Sequence, residues 1–312
     1  MGNATATAFA PATVGNVAVG FDILGHAFGV IGDRVRADRV IEPGVRVRAV
    51  TGVAGALPLE AALNTAGKAV LSLVDSEAPP FGIELSIEKG IPLASGLGGS
   101  AASAVAAVVA ANQLLERPLA LIELLTHAIA GEAVASGSRH ADNIAPALFG
   151  GLVLTVGIDN PRIKRIPVPP GVRCVLVHPH MFVSTQQARD VLAPRVDLSD
   201  VVWQSAHLAG FIAGCYSNDL ALIRESFDDV MIEPQRAKLI PGFARVKQAA
   251  LAAGALGCSI SGSGPSVFAW CDAGAAVRVQ EGVHRAFADE GLECDRWIAP
   301  VGGDGARVLE RG

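Results

Sequence analysis

Pro92-Leu93-Ala94-Ser95-Gly96-Leu97-Gly98-Gly99-Ser100-Ala101-Ala102 joins two segments of different periodicity. Before it, Ile83, Leu85 and Ile87 alternate with Glu84, Ser86 and Glu88, the period-two pattern of a half-exposed strand. After it comes an Ala/Val-rich helical run, about 99–115, which Arg117-Pro118 would stop. Three glycines between strand and helix let backbone N–H groups point into one cavity, and the helix N-terminus adds a positive dipole end. The segment therefore suits a phosphate group. Two familiar motifs do not fit it. Gly96 to Ala101 matches the spacing G-x-G-x-x-A, but the dinucleotide fingerprint wants glycines directly after a buried parallel strand and an acidic residue about 20 residues on, ending the next strand. Here Lys89 to Ser95 intervene, and Glu116 and Glu123 fall at a helix end and inside a helix. A Walker A loop needs Gly-Lys-Ser/Thr, and no lysine follows these glycines. By itself a three-glycine match is as well explained by a turn ahead of a packing helix.

Working outward, short β-like runs occupy about 4–10, 24–31, 34–40 and 45–50. Val35, Val45 and Val47 alternate there with Arg34, Arg36, Arg46 and Arg48, which predicts an antiparallel sheet with one wet face. Helical patterns follow at about 59–75 and 119–135, and Gly150-Gly151 opens a strand at 151–157. From about 166 the pattern restarts: a strand at 172–178, helices within 199–229 and 238–253, strands at 256–261 and 265–271, a helix at 275–290 and a strand at 294–300. The expectation is an α+β chain of two halves rather than one repeated βαβ array. The Asp159-Asn160-Pro161 turn and the Pro167 to Pro170 stretch place the boundary near 165, giving units 1–165 and 166–312.

The bulk composition excludes several classes. Lys plus Arg number 25 against 30 Asp plus Glu, a formal charge of −5 without runs, so nothing marks a surface for nucleic acid or an anionic membrane. No stretch approaches the roughly 20 apolar residues of a spanning helix. The first 30 residues hold no Lys or Arg, and Asn16 and Asp22 interrupt any apolar core, so a cytoplasmic address is expected rather than a secretory one. Five cysteines without C-x-x-C spacing argue against a disulfide framework or a thiolate metal site. His178 and His180 would share a face of an extended segment, but no carboxylate lies near them in sequence to complete a metal site.

The eleven-residue string resembles P-x-x-x-G-L-G-S-S-A-A, the phosphate loop of the GHMP kinases, and departs from it at Gly99, where the pattern has its first serine. Two further segments are similar to that family. Ala10-Pro11-Ala12-Thr13-Val14-Gly15-Asn16-Val17-Ala18-Val19-Gly20-Phe21-Asp22-Ile23-Leu24-Gly25 resembles A-P-A-T-x-x-N-x-x-x-G-F-D-x-L-G, the opening of its homoserine kinase branch. Cys258 to Val267, which includes Ser261-Gly262-Ser263-Gly264-Pro265, resembles the third family motif, a Gly-rich turn between C-terminal strands. The resemblance implies an N-terminal domain like ribosomal protein S5 domain 2, a ferredoxin-like C-terminal domain, and Mg·ATP held between them.

It also implies roles. Pro92, Leu93, Ala94, Ser95, Gly96, Leu97, Gly98, Gly99, Ser100, Ala101 and Ala102 would hold the triphosphate, with Asn64 near adenine; an N-cap role would equally account for Asn64 and Ser100. Ser100 and Glu132 would ligand Mg²⁺, an oxygen-seeking ion. An acceptor such as L-homoserine carries an ammonium, a carboxylate and a hydroxyl, and the matched positions offer Asp22 and Asn16, Arg189 and Arg236, Thr185, His140, Asn143 and Gly262. Arginine suits a carboxylate because its planar fork pairs bidentately. Asn143 stands among the catalytic positions although an amide accepts no proton, so positioning rather than general-base chemistry is expected. A homodimer follows from the resemblance alone. Two alternatives stand beside this reading: a GHMP kinase for an isoprenoid or sugar alcohol, and a GHMP homologue that binds ligand without catalysis.

Overall fold

A computed structural model describes residues 4–53, 57–136, 140–157 and 161–312. Arg139, and the Asp159-Asn160 pair of the expected boundary turn, lie outside the described residues. The N-terminal half runs β1 (Thr5–Gly15), β2 (Leu24–Val40), β3 (Val45–Gly52), α1 (Thr65–Glu77), β4 (Gly82–Lys89), α2 (Gly99–Asn112), α3 (Leu121–Ser136), α4 (Ile144–Phe149), β5 (Leu152–Val156) and β6 (Arg162–Ile166). The rest runs β7 (Val172–Pro179), α5 (Thr185–Asp190), α6 (Leu198–Ser217), α7 (Leu220–Glu225), α8 (Glu233–Arg236), α9 (Phe243–Ala252), β8 (Ala255–Ile260), β9 (Val267–Asp272), α10 (Ala276–Ala288), β10 (Cys294–Pro300) and β11 (Arg307–Arg311).

Two sheets organise these elements among the described residues. The first has the order β11-β1-β2-β4-β3, with β5 paired to β2 and β6 to β5; the second has the order β10-β7-β9-β8. The second sheet is antiparallel throughout and follows the connectivity βαββαβ, the ferredoxin-like arrangement. The sheet changes between Ile166 and Val172, where the prolines Pro167, Pro169 and Pro170 cannot supply ladder N–H groups.

Three features differ from the sequence expectation. The runs at 24–31 and 34–40 are one strand, β2, which pairs with β1 along its length except at a register shift between Pro11 and Ala12. β3 runs parallel to β4, not antiparallel. The physical reason is the connection, because α1 lies between them and a helical crossover returns the chain in the same direction. β11 leaves the second half and pairs with β1, with Phe9 opposite Arg307, so the end of the chain closes the first sheet.

The alternation itself holds. Val35 and Ala37 on β2, and Ile83, Leu85 and Ile87 on β4, are buried, while Arg34 and Arg36 stay exposed. The buried face packs on α2, which is inaccessible all round from Ala101 to Asn112 because it also meets α1 and α3. A helix sandwiched in this way must be apolar on every face. Alanine at half of its positions brings the neighbouring backbones close, and a larger residue there would overpack the core at a cost of about 1–3 kcal/mol. α2 ends earlier than Arg117-Pro118, at Asn112, whose side chain donates to Leu119 O (3.0 Å) and accepts from Leu119 N (2.8 Å). No helix of the described residues is long and apolar enough to cross a membrane.

Candidate active site

The phosphate loop hangs between the end of β4 and the start of α2. Ala94, Gly96 and Gly98 take positive φ (50°, 75° and 65°), and Gly98 occupies the N-cap position of α2, which leaves the first N–H groups of the helix without side-chain caps. Those groups are the orphan donors that a phosphate satisfies. A Cβ on Gly96 would collide with the carbonyl of Ser261 and lie 2.7 Å from the carbonyl of Gly264, so here only glycine lets the two halves touch. The contact is bonded: Ser261 Oγ donates to Gly96 O (2.8 Å), Ser266 N to Ser95 O (3.2 Å), and Gly262 N to Gly15 O (3.2 Å).

Beneath the loop lies a buried ion pair that motif reading does not find. Lys89 and Asp33 are 3% and 0% exposed and joined directly. Lys89 Nζ also donates to Gly99 O (2.7 Å) and Ser103 Oγ (2.8 Å), while Asp33 Oδ1 accepts from Gly90 N (3.0 Å) and Ile91 N (3.3 Å). Every ammonium proton thus has a partner, which a buried charge requires. One signal was available in the sequence: Lys89 shares the parity of Ile83, Leu85 and Ile87, and Asp33 that of Val35 and Ala37, which puts both charges on the buried face.

Ser100 is not the N-cap; it sits inside the first turn of α2 and donates to Glu132 Oε1 on α3 at 2.9 Å. Burial pushes the Glu132 carboxyl up to about 7. Asn64 does cap α1, accepting from Ala66 N (3.0 Å) and Gly67 N (3.3 Å), and it also lines the cavity. Ala101 and Ala102 are fully buried in α2 and fall outside the cavity wall.

The side of the cavity opposite the loop is assembled from distant segments. Asn16, Val17 and Ala18 are all left-handed (φ 68°, 42° and 59°), as is Asp22 (φ 61°). Such geometry is costly for residues with a Cβ, most of all for β-branched Val17, and persists only where surroundings fix it. Here Asn16 fixes it, donating through Nδ2 to Gly262 O (2.9 Å) and accepting at Oδ1 from Asp22 N (3.0 Å). The Asp22 carboxylate receives both guanidinium nitrogens of Arg189 at 2.7 Å and lies 3.4 Å from His140 Nδ1. Arg236 is 4% exposed and donates to Ala188 O (3.0 Å) and Gly262 O (2.9 Å); burial, then repulsion from Arg189, lowers its pKa to about 10, so it stays charged at neutral pH. Both guanidiniums stand 5.0 Å from the Phe21 ring centroid. Burial lowers the His140 pKa, which keeps the imidazole neutral near pH 7. Thr185 opens α5 at the cavity mouth, exposed, beside a capping box made by Ser184 and Gln187.

Asp142 belongs to the same wall and Thr13 lies buried behind it; neither was singled out from sequence. Thr13 Oγ1 donates to Asn143 Oδ1 (2.7 Å), and Asn143 Nδ2 donates to Asp142 Oδ2 (3.0 Å). Asp142 and Asn143 line one cavity of about 460 Å³, with the loop on one side and Asp22, His140, Arg189 and Arg236 on the other. That volume suits small molecules. The cavity thus presents adjacent oxygens at Ser100 and Glu132, N–H donors at the helix start and a paired cation–anion set opposite.

Comparison with known proteins bears on the same halves. A family model described as GHMP kinases N terminal domain matches residues 64–151, and one described as GHMP kinases C terminal matches 211–289. The chain is 52% identical over 305 residues to a homoserine kinase of Xanthomonas campestris pv. campestris (strain B100), covering 97% of this chain and 94% of that protein. It is 46% identical over 318 residues to a homoserine kinase of Chlorobium phaeobacteroides (strain BS1), covering 98% and 99%. The crystal structure of homoserine kinase from Cytophaga hutchinsonii superposes with a TM-score of 0.94 at 43% identity, covering 98% of this chain and 97% of that one. A galactokinase of Lactococcus lactis, at 14% identity and a TM-score of 0.71 with 98% and 95% covered, shares the fold.

Proposed function

The chain belongs to the GHMP kinases, and from that premise we propose that it transfers the γ-phosphoryl group of ATP to the side-chain hydroxyl of L-homoserine, giving ADP and O-phospho-L-homoserine for threonine biosynthesis. The observation that carries this reading is the single cavity in which a phosphate loop faces Asp22, Arg189 and Arg236. A sugar or isoprenoid alcohol has no ammonium and carboxylate to match that charged set.

Backbone N–H groups from Ser95 to Ser100 hold the triphosphate, with Asn64 toward the adenine. Magnesium fits the residues present, since Ser100 Oγ and Glu132 Oε1 are adjacent oxygen donors and Mg²⁺ is bound through one or two carboxylates plus phosphate oxygens and waters. When bound it would neutralise charge on the phosphates. The acceptor ammonium goes to Asp22 and its carboxylate to Arg189 and Arg236, with Asn16, Thr185 and Gly262 shaping the pocket; a zwitterion there replaces the Asp22–Arg189 pair by two ion pairs. Asn143 and neutral His140 orient the hydroxyl. Its oxygen forms the bond to the γ-phosphorus while the bond to the β,γ-bridging oxygen breaks, and its proton leaves late to phosphate or water. A loose transition state needs little activation of the nucleophile, so alignment supplies most of the rate. A cytoplasmic homodimer completes the reading.

The test is ADP release at fixed Mg·ATP with L-homoserine, mevalonate and galactose as alternative acceptors. Turnover with L-homoserine alone is expected; turnover with another alcohol and none with L-homoserine would move the reading to a different branch of the family. ATP binding with no transfer to any acceptor would make the chain a ligand-binding homologue.

A further inference from the structure

Asn143 has an amide whose two ends are chemically different, and the structure fixes which way round it points. One end meets a hydroxyl, Thr13 Oγ1, that can donate or accept; the other meets Asp142, which when ionised can only accept. The ionised carboxylate therefore forces the Asn143 NH₂ toward itself, which turns Oδ1 toward Thr13 and makes the Thr13 hydroxyl the donor. The chain of bonds is well buried, with Thr13 0% and Asp142 5% exposed. It also spans the site. A Cβ on Gly98 of the phosphate loop would collide with Thr13 Oγ1 and lie 3.0 Å from Asn143 Oδ1, and one on Gly15 at the end of β1 would lie 2.7 Å from Asp142 Oδ2. Thr13 N is tied to the same loop, donating to Leu97 O at 3.0 Å.

We propose that Thr13 and Asp142 are positioning residues for phosphoryl transfer, holding the Asn143 amide from its two ends in a single orientation between the phosphate loop and the acceptor. The proposal rests on the reading of Asn143 as an acceptor-side contact. Protonated, Asp142 becomes a donor, and the Asn143 amide can turn over so that its oxygen faces the carboxyl and its nitrogen faces the Thr13 oxygen. The orientation is then no longer unique. Asp142 is placed so that this matters, because burial, then the charge of Asp22, pushes its carboxyl up to about 7, against the opposing charge of Arg189. The other ionisable groups facing this part of the cavity are Arg236, the neutral His140 and Glu132.

The sign follows directly. Acidification through pH 7 protonates Asp142 and lowers turnover; above it the orientation is fixed. In the ligand-free protein the same raised pKa makes folding stability fall as pH rises from the ordinary aspartate value of 3.8 to about 7 and level off above it, because the ionised form is the one penalised by burial. Asp142→Asn removes that penalty while abolishing the fixed polarity.

The test measures kcat, both KM values and melting temperature for Asp142→Asn, Thr13→Val, Thr13→Ser and Asn143→Ala. Expected are a fall in kcat of roughly 10- to 100-fold in Asp142→Asn and Thr13→Val with little change in KM for ATP, in line with the cost of small misplacements. Thr13→Ser, which keeps the hydroxyl, should recover most of the loss. Asp142→Asn should make the acidic limb of the kcat profile shallower, leaving the part set by Glu132, and melt no lower than the parent at pH 8. Turnover within about threefold of the parent in both Asp142→Asn and Thr13→Val overturns the proposal, as does an unchanged acidic limb in Asp142→Asn. So does a fall in melting temperature that accounts for the lost activity. If Asn143→Ala is itself without effect, the reading of Asn143 fails; an effect in Asn143→Ala with none in the other two overturns the relay alone.

Discussion

Along Pro92 to Gly99 the cavity wall is a glycine-rich loop without charged side chains, held by carbonyls bonded across to Ser261 and Ser266. Across from it, Asp22, His140, Arg189 and Arg236 bring charged or titratable side chains from four separate segments. The difference matches the ligands that the proposed function assigns to each half. A triphosphate offers many equivalent oxygens, and a run of N–H groups at a helix start satisfies them whatever the side chains are. A small zwitterion offers one charge of each sign at a fixed spacing, which only placed side chains can discriminate. The backbone half conceals a charge of its own, because Lys89 and Asp33 hold the loop from below.

That contrast can be broken where it is strongest. Lys89→Met leaves the Asp33 carboxylate buried and unpaired, so a loss of about 3–5 kcal/mol in denaturant unfolding is expected. Adding Asp33→Asn should recover much of it, and a double-mutant cycle showing no coupling would detach the pair from the loop's stability. Next comes the junction of the two halves. Ser100→Ala and Glu132→Gln should each lower kcat by about 10²–10³ with the fold intact, the cost typical of losing one preorganised electrostatic contact. Parental turnover in both at limiting Mg²⁺ would remove these residues from the metal.

On the side-chain half alone, Arg189→Lys replaces a bidentate fork by a point charge. KM for L-homoserine should rise by roughly tenfold or more while KM for ATP stays within about threefold; equal rises would place Arg189 at the nucleotide. The smallest effect belongs to His140. Because burial lowers its pKa, it is already neutral where the enzyme works, and His140→Gln should retain most of the turnover and the acidic limb of the pH profile. Disappearance of that limb in His140→Gln, with a loss of about 10²-fold, would make the imidazole a proton acceptor instead.

The sequence by itself determined the elements whose cause is local. Alternation on β4 and the glycines of 96–99 follow from rules that act within about ten residues, and they were legible as a half-exposed strand and a phosphate-binding turn. Even Lys89 and Asp33 announced their burial by parity, although not their partnership. Tertiary structure alone decided what depends on chain direction and on distant pairing. Alternation reports which face of a strand is buried and is identical for parallel and antiparallel neighbours, so the parallel β3–β4 pair was invisible until the crossover through α1 was seen. Nothing near Arg307 indicates that it returns to lie beside Phe9 on β1. Asp22 and Arg189 are 167 residues apart in sequence and 2.7 Å apart in space. Thr13 and Asp142 escaped notice for the same reason: a buried threonine and a buried aspartate look like ordinary turn and core residues until the fold sets the Asn143 amide between them.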